Sequence, residues 1–469
     1  MKVLYVTAEA FPFAGTGGLG EVGRYLPQAL KKLGIDIEVV LPFYQVVKKT
    51  GFSFHPITEF ELKMGKRTIY TRILYTHYQS LKLIFIDQPE HFDRPFLYGP
   101  PGEAFPDNAL RFASFTKSLI KLMEENFYHI VHLNDWHTAL LPLFLNGKRP
   151  PILFTIHNMG YQGDFPLEVL EELGIPQEKE PIVLHHGRVN FLKAGILLSD
   201  LISTVSPTYA REIQTPEYGF GLEKYLKERS DKLVGILNGV DYSVWDPRND
   251  LLLPCRFSPE DLSGKIICKR ELIKEVELPE GISERPLFAM VSRLVYQKGL
   301  DLLIPILPFF HKKGYPLVIL GTGERRYEDA LRDHARENPL LKLILGYDEA
   351  LAHRIIAGAD LLLIPSFYEP CGLNQMYALR YGTLPVVRDT GGLKDTVEDV
   401  SFKEKRGTGF KFLLKKPCYF LRAILRGIKA YKDKTLWSSL QKQAMKEDFS
   451  WERSAKEYLK LYQTLLNPK

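Results

Sequence analysis

"KVLYVTAEAFPFAGTGGLGEVGRYLPQALKKLGIDIEVVLP", residues 2–42, sets the architecture. The run 2–8 is apolar and β-branched, as a strand buried on both faces would be. Residues 20–34 read as an amphipathic helix stopped by Gly34, and 35–42 as the next strand, ended by Pro42. A strand, a glycine loop, a helix and a second strand form the repeating unit of a parallel α/β sheet.

The same alternation continues outward. Further strands are read at "LKLIFID", "IVHLN", "ILFTIHN", "DLISTVS" and "LVGILNG". A second series begins after residue 280 with "LFAMVSR", "PLVILGTG", "LKLILGY", "DLLLIPS" and "LPVVRD". These are too many strands for one comfortable sheet, and they fall into two groups. Between the groups lies "NGVDYSVWDPRNDLLLPCRFSPEDLSGK", rich in turn formers. The fold expected is α/β, with two Rossmann-like, doubly wound parallel-sheet domains facing across a cleft. The boundaries expected are 1–242 and 253–449, with a hinge at 243–252. The segment 450–469 is expected to cross back as a helix onto the first domain. Its apolar stripe is Trp451, Ala455, Tyr458, Tyr462 and Leu465, with Ser450 as N-cap.

Composition excludes several classes. The 469 residues carry 62 Lys and Arg against 56 Asp and Glu, a net charge of +6 with no basic block, so no nucleic-acid partner is expected. Four dispersed cysteines form no C-x-x-C pair, against a disulfide framework or zinc ribbon and for a reducing compartment. The opening apolar run is cut short by Glu9 and makes no signal peptide. No stretch approaches a membrane span, so a cytoplasmic protein without membrane partners is expected.

Within the opening stretch, "FAGTGGLGEVG" (13–23) spells G-x-G-x-x-G at Gly15, Gly17 and Gly20. A dinucleotide site needs the first glycine directly after the strand and a carboxylate at the end of the next strand. Here "EAFPFA" intervenes, and the next strand ends Val39-Val40-Leu41-Pro42. Both requirements fail, which argues against NAD. What remains is a helix N-terminus whose bare N–H groups admit a phosphate, or else a simple glycine cap.

Ligands of open α/β sheets sit beyond the carboxyl ends of the strands. This chain is polar there repeatedly: Asn134-Asp135-Trp136-His137, His157-Asn158, Asn238-Gly239, Ser292-Arg293 with Lys298-Gly299, Gly346-Tyr347, Ser366 through Gly372, and Arg388 through Gly392. Each alone has a bland explanation as a cap, turn or solvated charge. Their shared position at one end of two sheets points to ligand binding. His132 and His137 are five apart and His185 and His186 adjacent, so neither pair presents the i, i+4 face of a zinc helix, and no protein-bound metal is expected.

These loops as a set resemble the bacterial glycogen synthases and plant starch synthases, retaining glucosyltransferases of GT-B architecture. The stretches that carry the resemblance include "AEAFPFAGTGGLGEV", "HLNDWHTALLP", "TIHNMGYQG", "ILNGVDYSVWDP", "VSRLVYQKGLDLL" and "PSFYEPCGLNQMYALRYGTLPVVRDTGGLKDTV". They span nearly the whole chain in the family's order. The resemblance implies ADP-glucose as donor, the non-reducing end of an α-1,4-glucan such as glycogen as acceptor, and no cofactor.

By the same resemblance, Arg293 and Lys298 lie on the donor diphosphate and Tyr347 against the adenine. Glu369 and the Cys371-Gly372-Leu373 backbone hold the glucose and phosphate, while Asp135, His157 and Asn238 complete the sugar pocket. Arg293, Lys298, His157 and Glu369 are the catalytic candidates. Gly15, Gly17, Gly18, Glu21, Asn158, Thr390 and Gly391 join the substrate-binding set from the matching loops.

Two departures stand out. Where the family's first motif reads K-x-G-G-L, this chain has Gly15, and Glu21 stands where Asp is commoner. The wider group's second glutamate, eight residues past Glu369, is replaced by Tyr377, which fits the synthase branch better than sucrose or trehalose enzymes. The loss at Gly15 keeps two alternatives open, a UDP-glucose synthase and a catalytically impaired glucan-binding relative. A pyridoxal-phosphate phosphorylase shares the architecture, but the chain is short for one and carries no recognisable cofactor-lysine signature.

Overall fold

The computed structural model describes residues 1–100 and 102–467. Its chain divides into two compact units, Met1–Gly239 joined by the residues from Trp451 onward, and Val240–Ser450.

The first unit is built on a nine-stranded sheet. In chain order the strands are β1 (Lys2–Val6), β2 (Asp36–Pro42), β3 (His55–Met64), β4 (Arg67–Tyr78), β5 (Leu81–Asp87), β6 (Ile130–Asn134) and β7 (Ile152–Ile156). The short β8 (Asp164–Phe165), β9 (Leu184–His185) and β10 (Arg188–Asn190) follow, then β11 (Leu201–Thr204) and β12 (Leu233–Gly235). The large sheet runs β12-β11-β7-β6-β1-β2-β5-β4-β3. It is parallel from β12 to β5, with β1 in register between β2 and β6. Strands β1, β6 and β7 are buried almost throughout, which is why they read as continuous apolar runs rather than alternating ones.

Helix α1 (Gly18–Lys32) crosses from β1 to β2 and ends before Gly34, whose φ of 84° suits a helix-stop glycine. Beyond β5 the sheet departs from the wholly parallel expectation. β4 and β3 pair antiparallel there, turning through Gly65-Lys66 with Gly65 at φ 53°. β8, β10 and β9 form a separate three-stranded antiparallel sheet. These pieces are polar and half-exposed, so no continuous apolar run marks them.

The second unit carries β13 (Phe288–Val291), β14 (Leu317–Gly321), β15 (Leu341–Leu345), β16 (Leu361–Ile364), β17 (Leu384–Arg388) and β18 (Phe410–Phe412). They form one parallel sheet ordered β15-β14-β13-β16-β17-β18. The order reverses beside β13, where β13 pairs with β14 on one side and β16 on the other. This is the topological switch point at which α/β sheets bind ligands.

The stretch 243–252, expected as a hinge, falls within the second unit and is packed against it. Trp245 lies between two rings, 3.6 Å from His353 and 3.9 Å from Tyr377. Asp250 meets His353 at 2.7 Å and accepts from the Tyr381 hydroxyl at 2.6 Å, while Asp246 pairs with Arg380 at 2.5 Å. A segment rich in turn formers can still be rigid when aromatic stacking and buried ion pairs fix it.

The terminal helix Trp451–Leu466 belongs to the first unit. Its buried stripe includes all five residues predicted from periodicity, Trp451, Ala455, Tyr458, Tyr462 and Leu465. The larger of these each contribute about 2 kcal/mol of transfer free energy. The Tyr462 hydroxyl reaches His132 Nδ1 at 2.8 Å, and Ser454 donates to the Leu237 carbonyl at 2.7 Å. A Cβ on Gly239 would stand 2.5 Å from the Trp451 Cα, so glycine allows this helix its close approach. The last two positions of the expected segment 450–469 lie outside the described residues.

Candidate active site

Each unit presents a cluster of polar residues at the carboxyl ends of its parallel strands. In the first unit the cluster grows from β6 and β7. Asp135 follows β6 in the left-handed region at φ 57°, an uncommon conformation outside glycine. Its backbone N–H donates to the Thr155 carbonyl at 2.9 Å, and its carboxylate accepts from the His157 N–H at 2.7 Å. Burial outweighs these backbone donors and pushes the Asp135 carboxyl up to about 7.

His157 follows β7. The Asn134 amide donates to the Val6 carbonyl at 2.9 Å, so its oxygen faces His157 Nε2 at 2.9 Å. That oxygen requires a proton on Nε2. Desolvation lowers the imidazole to about 3, so it is neutral at ordinary pH. Asn158 spends its side-chain oxygen on the Gly160 N–H at 2.9 Å, making a local turn. Asn238 is buried after β12, and its Oδ1 has no hydrogen-bond partner among the described residues.

The glycine loop lies at the start of α1. A Cβ built on Gly17 or Gly18 meets nothing within 4 Å, so both backbones face open space. Gly15 differs, because a Cβ there would stand 2.6 Å from the Phe11 ring. Glu21 occupies the first turn of α1, the favourable end of the helix for a carboxylate. His132 and His137, weighed in sequence as possible ligands, are built into the interior. His132 bonds Tyr462 and Thr155, and His137 stacks on Trp136 at 4.0 Å.

In the second unit, Lys298 donates to both oxygens of Glu369, at 2.7 and 3.0 Å, and the Ser366 hydroxyl donates to the same carboxylate at 2.8 Å. The Arg388 guanidinium holds the loop from beneath, donating to the carbonyls of Ser366 at 2.9 Å and of Phe367. Gly391, at φ 44°, comes so close that a Cβ would lie 2.0 Å from the Glu369 carbonyl, to which the Gly392 N–H donates at 3.0 Å. Gln375 braces Cys371 and Gly372 by donating to both carbonyls at 3.0 Å. Thr390 is fully buried at the head of the helix Gly391–Thr396. Leu373 precedes the helix Asn374–Arg380.

The structure thus brings Lys298, Glu369, Cys371, Gly372 and Gly391 together. Arg293 and Tyr347 stand on other strand-end loops of the same unit, Arg293 exposed and Tyr347 84% exposed. Tyr377 is stacked on Trp245, which gives the aromatic at that position a packing role. Three contributors went unread as site residues in the sequence. Glu9 appeared only as an interruption of an apolar run, while Ser366 and Arg388 were parts of quoted loops. A carboxylate directly after a buried strand, with no basic neighbour nearby in sequence, was the available signal for Glu9.

Among the described residues no group of three or more His, Cys, Asp or Glu is placed to hold a metal ion. No helix among them is long and apolar enough to cross a membrane.

Both units are α/β with polar loops at the carboxyl ends of their parallel strands, and the second holds a paired cation and carboxylate against a glycine-headed helix, the features shared with the glycosyltransferases that the chain matches. Residues 2–228 match the starch synthase catalytic domain family, and residues 273–412 match the glycosyl transferases group 1 family. The chain is 44% identical to a glycogen synthase of Anaeromyxobacter sp. strain Fw109-5, with 100% of both chains covered. It is 39% identical to that of Thermodesulfovibrio yellowstonii, over 99% of this chain and 98% of that one. The catalytic domain of starch synthase IV from Arabidopsis thaliana, solved bound to ADP and acarbose, superposes with a TM-score of 0.89 at 33% identity, covering 99% of each chain. A sucrose-phosphate synthase from Thermosynechococcus elongatus, at 16% identity and TM-score 0.63, shares the fold. The chain belongs to the glycogen synthase and starch synthase family of glycosyltransferases.

Proposed function

We propose that this chain transfers glucose from ADP-glucose to the non-reducing end of an α-1,4-glucan, with retention at the anomeric carbon. The observation that carries the reading is the Lys298–Glu369 pair, held against the Gly391–Gly392 backbone at the strand ends of the second unit. An ammonium ion serves a departing diphosphate, and an adjacent carboxylate serves sugar hydroxyls. Full-length identity to glycogen synthases and likeness to a starch synthase solved with ADP support the adenine nucleotide.

In this reading the bond from C1 to the diphosphate oxygen breaks while one from C1 to the acceptor's O4 forms on the same face. The acceptor's hydroxyl proton passes to the leaving phosphate. Lys298 and Arg293 stabilise the negative charge that grows there, joined by the Gly391 backbone, while Thr390, whose N–H donates to the Arg388 carbonyl at 3.0 Å, heads that helix and the open Gly17 and Gly18 backbones of the first unit suit a substrate anion. Lys298 has three N–H groups, and a diphosphate would compete with Glu369 for them. Glu369 and the 371–373 backbone orient the glucose, and Tyr347 stacks on the adenine. Asp135, protonated or ionised according to pH, and neutral His157 take the sugar, together with Asn158, Asn238 and Glu21.

Gly15 favours a second reading, a glucan-binding relative with impaired turnover. Incubating the protein with labelled ADP-glucose or UDP-glucose and glycogen decides between them. Label in elongated α-1,4 chains from ADP-glucose supports the proposal. Glycogen binding with no incorporation from either donor overturns it in favour of the second reading, and faster incorporation from UDP-glucose reassigns the donor.

A further inference from the structure

The glycine loop is cast against Glu9, Ala10 and Phe11, a few residues beyond the end of β1. The Glu9 carboxylate, 3% exposed, accepts from the Thr16 N–H at 2.6 Å and the Thr16 hydroxyl at 2.9 Å. It also accepts from the Tyr98 hydroxyl at 2.5 Å. Ala10 and Ala14 exchange backbone bonds, at 2.8 and 3.1 Å, closing the bend between them. The Phe11 N–H donates to the Gly20 carbonyl at 3.1 Å. The Phe11 ring then lies between the two ends of the loop, 2.6 Å from where a Cβ of Gly15 would be and 2.9 Å from that of Gly20. Helix α1 sits equally close, since a Cβ on Gly23 would be 2.1 Å from the Glu9 carbonyl.

We infer that Glu9 and Phe11 are positioning residues that mould the Gly15–Gly20 loop, tying the Thr16 N–H and hydroxyl down to Glu9 and leaving the Gly17 and Gly18 backbone open to substrate. The substrate-facing part rests on the proposed transferase reading; the moulding rests on the geometry alone. Thr16 is the pivot, because its N–H and its hydroxyl are both committed to Glu9 although the residue itself is exposed. Phe11 explains why position 15 carries no side chain in this chain: the ring fills the space that one would leave the backbone through. A buried carboxylate that accepts three donors fixes geometry strongly, because releasing any of them leaves charge unsatisfied in a low-dielectric setting.

The test pairs two readouts. In E9Q, amide exchange at Thr16 should accelerate at least tenfold, and the KM for ADP-glucose should rise roughly tenfold, the effect expected for loss of charge-assisted hydrogen bonds. T16V, which removes only the hydroxyl, should show a smaller shift in the same two quantities. The cycle G15A, F11A and G15A/F11A measures the ring contact: G15A should accelerate loop exchange in the natural background and have little further effect once Phe11 is Ala. A merely structural role would lower the melting temperature and leave donor KM and Thr16 exchange as in the unaltered protein, and that result overturns the inference. So does strict additivity of G15A and F11A. If the unaltered protein elongates no glucan, the transferase reading fails by itself, while exchange and the cycle still report on the moulding.

Discussion

Asp135 and Glu369 are both carboxylates at strand ends, both 6% exposed, yet they are stabilised by opposite means. Asp135 is held by backbone N–H groups of His157 and Asn158, and desolvation raises its carboxyl to about 7. Glu369 sits against an ammonium ion at 2.7 Å with a serine hydroxyl at its side. The first arrangement is tolerable because the group can take up a proton. The second depends on a partner's charge. A neutral environment suits sugar hydroxyls, whereas an ion pair can be opened by a stronger anion such as a diphosphate. The same residue class, equally buried, is thereby given two different responses to a polar or anionic ligand.

Removing the cation should break this comparison most severely. Lys298→Ala is expected to lower glucan elongation by roughly 10³-fold, as loss of a preorganised donor does. It also strands the buried Glu369 carboxylate, so the melting temperature should fall, and adding Glu369→Gln should recover part of that fall. Steady-state rates with thermal melts of both variants check the pair.

Asp135→Asn should reduce turnover by about 10²-fold, yet act oppositely on stability. Between its ordinary value of 3.8 and about 7, the folded chain keeps a proton on Asp135 that the unfolded chain has lost. Stability from this group is therefore present at low pH and declines as pH rises through that window. At pH 8 the Asn variant should melt a few degrees higher than the unaltered protein.

Tyr347→Ala should raise the KM for ADP-glucose about tenfold, the scale of one base–aromatic stacking contact, while Tyr347→Phe changes it little. Neither should move the melting temperature, because the ring is 84% exposed.

His157→Gln gives the subtlest effect. With the imidazole lowered from 6.5 to about 3, the unfolded chain binds a proton in that interval that the folded chain refuses. This contribution is present above 6.5 and is lost as pH falls toward 3, opposite in slope to that of Asp135. Melting curves across pH 4 to 7 should steepen on the acid side in Asp135→Asn and flatten in His157→Gln. Parallel curves for both would show that the two groups do not titrate as described.

Most of the parallel strands were legible because a strand buried on both faces must be continuously apolar, as "IVHLN" and "ILFTI" are. The β3–β4 hairpin was not read, since its outer face is polar and its partner β5 already looked like a sheet member. The packing of the stretch 243–252 was not legible, because Asp, Pro and Asn look mobile in sequence and nothing local says that Trp245 will stack on His353 and Tyr377. Among site residues, those directly after strands could be picked by position. The roles of Glu9 and Arg388 could not be read from position, because each acts on a loop that only the fold brings beside it.

By itself the sequence determined the alternation of buried strands and amphipathic helices, the division into two series, and the family, for these depend on local periodicity and on motifs in order along the chain. The tertiary structure alone decided which carboxylate is paired and which is merely buried, and which side chains hold the loops that face substrate. Those outcomes depend on distances between residues far apart in sequence and on how completely water is excluded from them. No local pattern of residues encodes either quantity.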